Sequence, residues 1–197
     1  MGVAADLAAG WADSARLRLE RASGGSAGRE RDLWLLLVRA TGLPALGDWQ
    51  SAVERVRSRL GAAPDTDAVA HWLLARVGVE RSHHVAALAR LARGTRGPLP
   101  ASLAADLDAR DALARHDTTR ALALWDGATR RYAVLSVPLE LVASLWPLRL
   151  DIARVATAQR HSAIATRACR SFETLIGYVD QVVQPEVERL CRAAQPR

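Results

Sequence analysis

The sequence predicts an all-α fold, and three observations predict it. Alanine and leucine supply 39 and 28 of the 197 residues, both strong helix formers. Apolar residues recur at i, i+3, i+4 and i+7, as in Leu33, Leu36, Leu37 and Ala40, while no segment alternates with period two over a strand's length. Glycine and proline clusters cut the chain into segments of roughly 10–18 residues, the usual length of a globular helix. About ten short helices and no sheet are expected.

Taken in order, Val3 to Ala9 reads as a short helix before Gly10. Residues 23–28, Ser-Gly-Gly-Ser-Ala-Gly, read as a linker. The Leu33 stripe follows and is interrupted at Gly42-Leu43-Pro44. Gly61 to Pro64 ends the next segment, and Asp65-Thr66-Asp67 supplies an N-cap before Ala68. Val69, Trp72, Leu73 and Arg76 repeat the helical stripe. Gly94 to Pro100 is a breaker, with Ser102 placed to start a new helix. Residues 132–147 are too apolar for a free loop and predict either an extra or lengthened helix packed on the other helices or a partner-facing patch. Leu148, Ile152, Val155 and Ala156 resume the stripe, and Pro185-Glu186 opens the last helix with proline and an acid in its first turn.

The charge balance excludes more than it names. All 27 cations are arginines, set against 21 acids for a net charge of +6. With no lysine, the chain alone supplies no Walker-type phosphate lysine, no kinase strand lysine and no Schiff-base amine. The arginines are interspersed with acids, as in Arg29-Glu30-Arg31-Asp32, so no nucleic-acid face is expected. Many should form surface i,i+4 pairs, Asp106 with Arg110 and Glu188 with Arg192, worth about 0.3–0.5 kcal/mol each. Two cysteines, Cys169 and Cys191, are too few for a disulfide scaffold and read as a packed small hydrophobe and a last-helix residue. No signal peptide and no membrane-spanning run are legible, which makes a cytoplasmic protein the expectation. Of the five histidines, no pair has metal-ligand spacing, and no metal, cofactor or catalytic residue is expected.

A repeat underlies the pattern. Gly47-Asp48 leads to Ala52 and His116-Asp117 leads to Ala121, 69 residues apart. A middle copy falls at Ala86-Ala87, an earlier one at Ala15 and a later one at Ala165. Ala121, Trp125 and Ala128 set a small residue, a bulky one four on and a small one three further, Ala52 and Val56 repeat the first two of these, and Pro64 follows twelve residues after Ala52.

These residues resemble the tetratricopeptide repeat family, whose unit is a 34-residue helix–turn–helix. The likeness implies a right-handed solenoid of antiparallel helix pairs spanning 1–197. Its parts would be a partial repeat at 1–22, the linker 23–28, repeats at 29–64, 65–98 and 100–131, the insertion 132–147, a last repeat at 148–183 and a capping helix at 185–197. Ala52, Ala109, Ala121, Trp125, Ala128, Ala153, Ala165 and Phe172 would be its packing residues, Phe172 departing from the family's small residue. The start in mid-repeat leads us to expect the array to continue upstream in a longer parent chain.

The resemblance also implies a concave groove lined by first helices. With Ala75, Ala109 and Ala153 aligned, Arg76, Arg110 and Arg154 would project into it and hold carboxylates of an acidic peptide or protein. The expected function is a non-catalytic scaffold for protein–protein interaction. Residues 149–190 resemble the terminal repeat and cap of arrays on bacterial signalling proteins, so the alternative is the regulatory or sensor tail of a Ser/Thr kinase or transcriptional regulator. Two further classes remain open: an enzyme whose polar residues converge only in space, and a DNA-binding protein with one arginine-rich face.

Overall fold

The structure, a computed structural model, describes residues 17, 21, 25–41, 47–62, 67–94, 98–132, 146–175 and 184–194. Among these residues there are nine helices and no strand, as the composition and periodicity predict: α1 (Gly25–Thr41), α2 (Trp49–Ala62), α3 (Ala68–Arg76), α4 (Arg81–Gly94), α5 (Pro98–Ala114), α6 (Thr118–Tyr132), α7 (Trp146–Ala158), α8 (Ser162–Leu175) and α9 (Gln184–Ala194).

Two boundaries differ from expectation. Gly25 to Gly28 form the first turn of α1, not a linker; first-turn amides need no intrahelical partner, so glycine costs little there, and Gly28 is buried. Helix α5 begins at Pro98, because a proline in the first turn lacks only an amide that would be unbonded anyway. The expected Val3 to Ala9 helix, the Gly42 to Pro44 break and residues 133–145 of the insertion lie outside the described residues.

The helices start and stop by repeated local chemistry. Asp48, Asp67 and Asp117 each accept a 3.0 Å bond from the amide three residues on, those of Ser51, Ala70 and Arg120. Each such N-cap is worth about 1 kcal/mol. The ends of α3, α5 and α7 share one closure. The amides of Val79, Asp117 and His161 reach back to the carbonyls of Leu74, Ala112 and Ala156 at 3.0, 2.9 and 2.8 Å. The residue before each of those amides is left-handed: Gly78 at φ 83°, His116 at 62° and Arg160 at 58°. This is the Schellman motif, which glycine adopts freely and the other two residues adopt under strain. Three helices thus turn into their successors in the same way.

Successive helices pack as pairs, α1 on α2, α3 on α4, α5 on α6 and α7 on α8. Odd-numbered helices also meet their odd neighbours, α1 on α3, α3 on α5 and α7 on α9, and each even helix meets the next odd one. Small side chains permit the close approach. Ala75, Ala109 and Ala153 on odd helices are buried, and so are Ala52, Ala87, Ala121 and Ala165 on even ones. Of the adjacent pair Ala86 and Ala87, only Ala87 is buried. Four residues on, Val56, Leu91, Trp125 and Cys169 fill the space beside those alanines, and Ala128 is buried as well. Phe172 lies within α8, its side chain outside the described residues.

The apolar core falls into two clusters. The first holds Leu36, Trp72, Leu88, Leu103 and Leu107 among others; the second holds Ala109, Trp125, Ile152, Ala165 and Leu190. Helix α5 belongs to both, and the change from one cluster to the other occurs beside Asp106.

Candidate functional site: an arginine–carboxylate row

Asp106 has no solvent exposure. A carboxylate stays ionised there only if donors surround it. It accepts the indole N–H of Trp72 at 2.7 Å and that of Trp125 at 3.0 Å, one tryptophan from each core cluster. Arg110 Nε bonds both its oxygens at 3.0 and 3.2 Å, and an Arg76 guanidinium nitrogen lies 3.3 Å away. Each guanidinium also stands over an indole face, Arg76 over Trp72 at 5.4 Å and Arg110 over Trp125 at 5.8 Å. Burial pushes the Asp106 pKa up, but Arg110, Arg76 and the bond from Trp72 outweigh it and hold the carboxyl below its ordinary value.

From Asp106 the charges alternate across the odd helices. Arg110 reaches Asp151 on α7 at 2.6 Å, Asp151 takes Arg154 at 3.1 Å, and Arg154 grips Glu186 on α9 with two bonds of 2.8 and 2.6 Å. Arg76 also lies 3.7 Å from Asp151 and donates to the Ala40 carbonyl of α1 at 2.9 Å. The row therefore runs from α1 to α9 with three arginines and three acids. Bonding to Glu186 raises the Arg154 pKa, and the same bond lowers that of Glu186. Burial lowers Arg76, which Asp106 and Asp151 only partly counter; in Arg110 the same acids outweigh burial and raise it.

The structure brings Arg76, Arg110 and Arg154 together in one row, and their accessibility is graded. Their side chains are 4%, 23% and 40% exposed. Arg76 is thus enclosed between α1, α3 and α5, its donors turned to Asp106, Asp151 and the Ala40 carbonyl. The Asp106–Arg110 pair, expected on the surface, is a core interaction. The Glu188–Arg192 pair is a surface one at 3.8 Å.

A second carboxylate, Asp32 of α1, is equally buried. Arg55 Nε and Nη2 bond one of its oxygens at 3.0 and 2.8 Å, and Arg59 bonds the other at 2.8 Å. A cleft of about 220 Å³ opens beside it, floored by Leu33, Val56 and Leu60 and edged by Arg59 and the Arg29–Asp67 ion pair. Burial raises the Asp32 pKa, and its arginines bring it below the ordinary value. Arg149 is different: it is buried with no carboxylate partner among the described residues, and burial alone lowers its pKa.

Residues far apart in sequence meet elsewhere too. His71 and His84, both buried, stand Nδ1 to Nδ1 at 2.9 Å, one donating and the other accepting. Burial and the neighbouring His71 push the His84 pKa down to about 4, and its Nε2 has no hydrogen-bond partner among the described residues. His83, His116 and His161 are exposed. Among the described residues no three His, Cys, Asp or Glu side chains are grouped to hold a metal, and no helix is long and apolar enough to cross a membrane.

The reading of the cysteines as separate packed residues is corrected. Cys169 of α8 and Cys191 of α9 are joined in a disulfide, their Cα atoms 5.5 Å apart. Spacing alone did not show this, because the last helix folds back and brings two residues 22 positions apart within bonding geometry. The buried Asp106 was also missed. Its one sequence signal is that Trp72 and Asp106 stand 34 residues apart, at the same position of successive odd helices.

No family model, curated protein or solved structure matches this chain.

Proposed function

We propose that the chain is a non-catalytic helical-repeat scaffold of the tetratricopeptide type that binds a protein or peptide partner through carboxylates. One observation carries the reading: three odd helices end in the same Schellman closure after a buried alanine followed by an arginine of the row, the step falling at the same distance from the closure in α5 and α7 and one turn nearer to it in α3. Recurrence of helix end, packing residue and polar residue together is what stacked repeats require, since each pair buries its stripe only against the next. Arg154, the most exposed of the three, is the partner-facing end; Arg110 supports it through Asp151; Arg76 is a structural member.

A guanidinium that already grips Glu186 with two parallel bonds is shaped to grip another carboxylate in the same way. Affinity capture from a native lysate with the whole chain and with Arg154→Glu tests the reading. Carboxylate-rich partners should fall at least about tenfold with the reversed charge. An unchanged set of partners would remove Arg154 from the site. Helix α9, packed on α7 and α8 as a cap, favours the regulatory tail of a bacterial signalling protein as the second reading. It predicts a kinase or regulator domain encoded in frame with this segment.

A further inference from the structure

Helix α9 sits at the exposed end of the row, and three kinds of contact hold it there. Glu186 occupies Arg154, Thr166 Oγ1 of α8 donates to the Ala194 carbonyl at 3.0 Å, and Val187, Leu190 and Ala194 are buried in the second core cluster. The Cys169–Cys191 disulfide is the covalent tie. We propose that α9 is a redox-held internal occupant of the carboxylate site: oxidised, the disulfide keeps Glu186 on Arg154; reduced, α9 separates readily and Arg154 becomes available to a partner's carboxylate. The consequence for binding rests on the scaffold reading above, while the latch itself rests only on the geometry of α8 and α9.

The chemistry is thiol–disulfide exchange. A dithiol reductant attacks at half-buried Cys191, forms a mixed disulfide, and leaves as its own disulfide. Two electrons and two protons turn the Sγ–Sγ bond into two thiols. Disulfides in a reducing compartment are mostly transient and redox-sensing, so the tie there would report the redox state. The acid on α9 also has a clear counterpart: freeing Glu186 exposes the one guanidinium of the row that is already 40% open to solvent.

Hydrogen exchange on the full chain, oxidised and then reduced with dithiothreitol, tests the latch, with Cys191→Ser as the open reference. Amides of 186–194 should exchange roughly 100-fold faster after reduction and match Cys191→Ser, while α5 and α6 stay unchanged. Equal protection in both states overturns the latch, and so do two free thiols in the chain isolated under non-reducing conditions. Titrating both redox states with a glutamate-rich helical peptide separates the two ideas. Opening of α9 with no gain in binding keeps the latch and removes the binding site; a gain in binding without opening removes the latch.

Discussion

Asp32 and Asp106 are both shut off from water and both held by arginines, but the surroundings differ in what can move. Arg31 of α1 adds a longer contact to Asp32 at 3.3 Å; the two closer arginines, Arg55 and Arg59, come from α2 and remain 41% and 40% exposed. Deprived of their acid, they can swing into solvent beside the cleft. The donors on Asp106 are two fully buried indoles and the Arg76 and Arg110 guanidiniums, spread over α3, α5 and α6. The indoles and Arg76 have nowhere to go, while Arg110, 23% exposed, keeps Asp151 as a partner. The same residue type at the same burial therefore pins one helix pair at Asp32 and joins two halves of the core at Asp106. What decides the role of a buried carboxylate is whether its partners retain a route to water.

Removing each acid separates the two cases. Asp106→Ala leaves an enclosed guanidinium and two indole N–H groups unsatisfied and should cost about 3–5 kcal/mol. Asp32→Ala should cost about 1–2 kcal/mol, since its arginines rehydrate. Urea unfolding of both variants measures the gap, and equal losses would erase the distinction.

The histidine pair adds a pH signature within the first core cluster's helices. His84 titrates at about 4 when folded and near 6.5 when unfolded, so the unfolded chain binds the extra proton between those values. Stability should be full above pH 6.5 and fall as the pH drops toward 4, by roughly 2–3 kcal/mol. The carboxylates of both hubs, with depressed pKa values, keep their contribution through this window and lose it only below. Thermal melts of wild type and His84→Leu between pH 7 and 4.5 check this; the slope should disappear in the variant.

The smallest effect concerns the turns. His116→Gly and Arg160→Gly place a residue at ease with positive φ where the chain already adopts it. Each should change stability by under about 1 kcal/mol, in the stabilising direction. Gly78→Ala should destabilise for the converse reason, although no atom obstructs the added Cβ.

Much of the fold was legible because it rests on short-range rules. Asp67 announces its helix as an N-cap, Asp48 and Asp117 mark the turns that open theirs, and the spaced Ala52, Ala87, Ala121 and Ala165 are all buried on even helices. The boundaries slipped at Gly25 and Pro98, where first-turn chemistry tolerates residues that elsewhere break helices. The candidate site was legible only in part. Arg76, Arg110 and Arg154 stand out by position, but sequence does not show which faces of their helices are covered. An i,i+4 pair such as Asp106–Arg110 looks the same on the surface and in the core; what buries it is Trp72 and Trp125 closing from two other helices. The His71–His84 contact and the Cys169–Cys191 bond likewise exist only once helices are stacked.

The central claim is that one ionic row couples the odd helices in series. Hydrogen exchange on Asp106→Ala and Asp32→Ala tests it most directly. Loss of protection should spread through α3, α5 and α7 in the first variant and stay within α1 and α2 in the second. Local loss confined to α5 in Asp106→Ala, or the same spread in both variants, would contradict it.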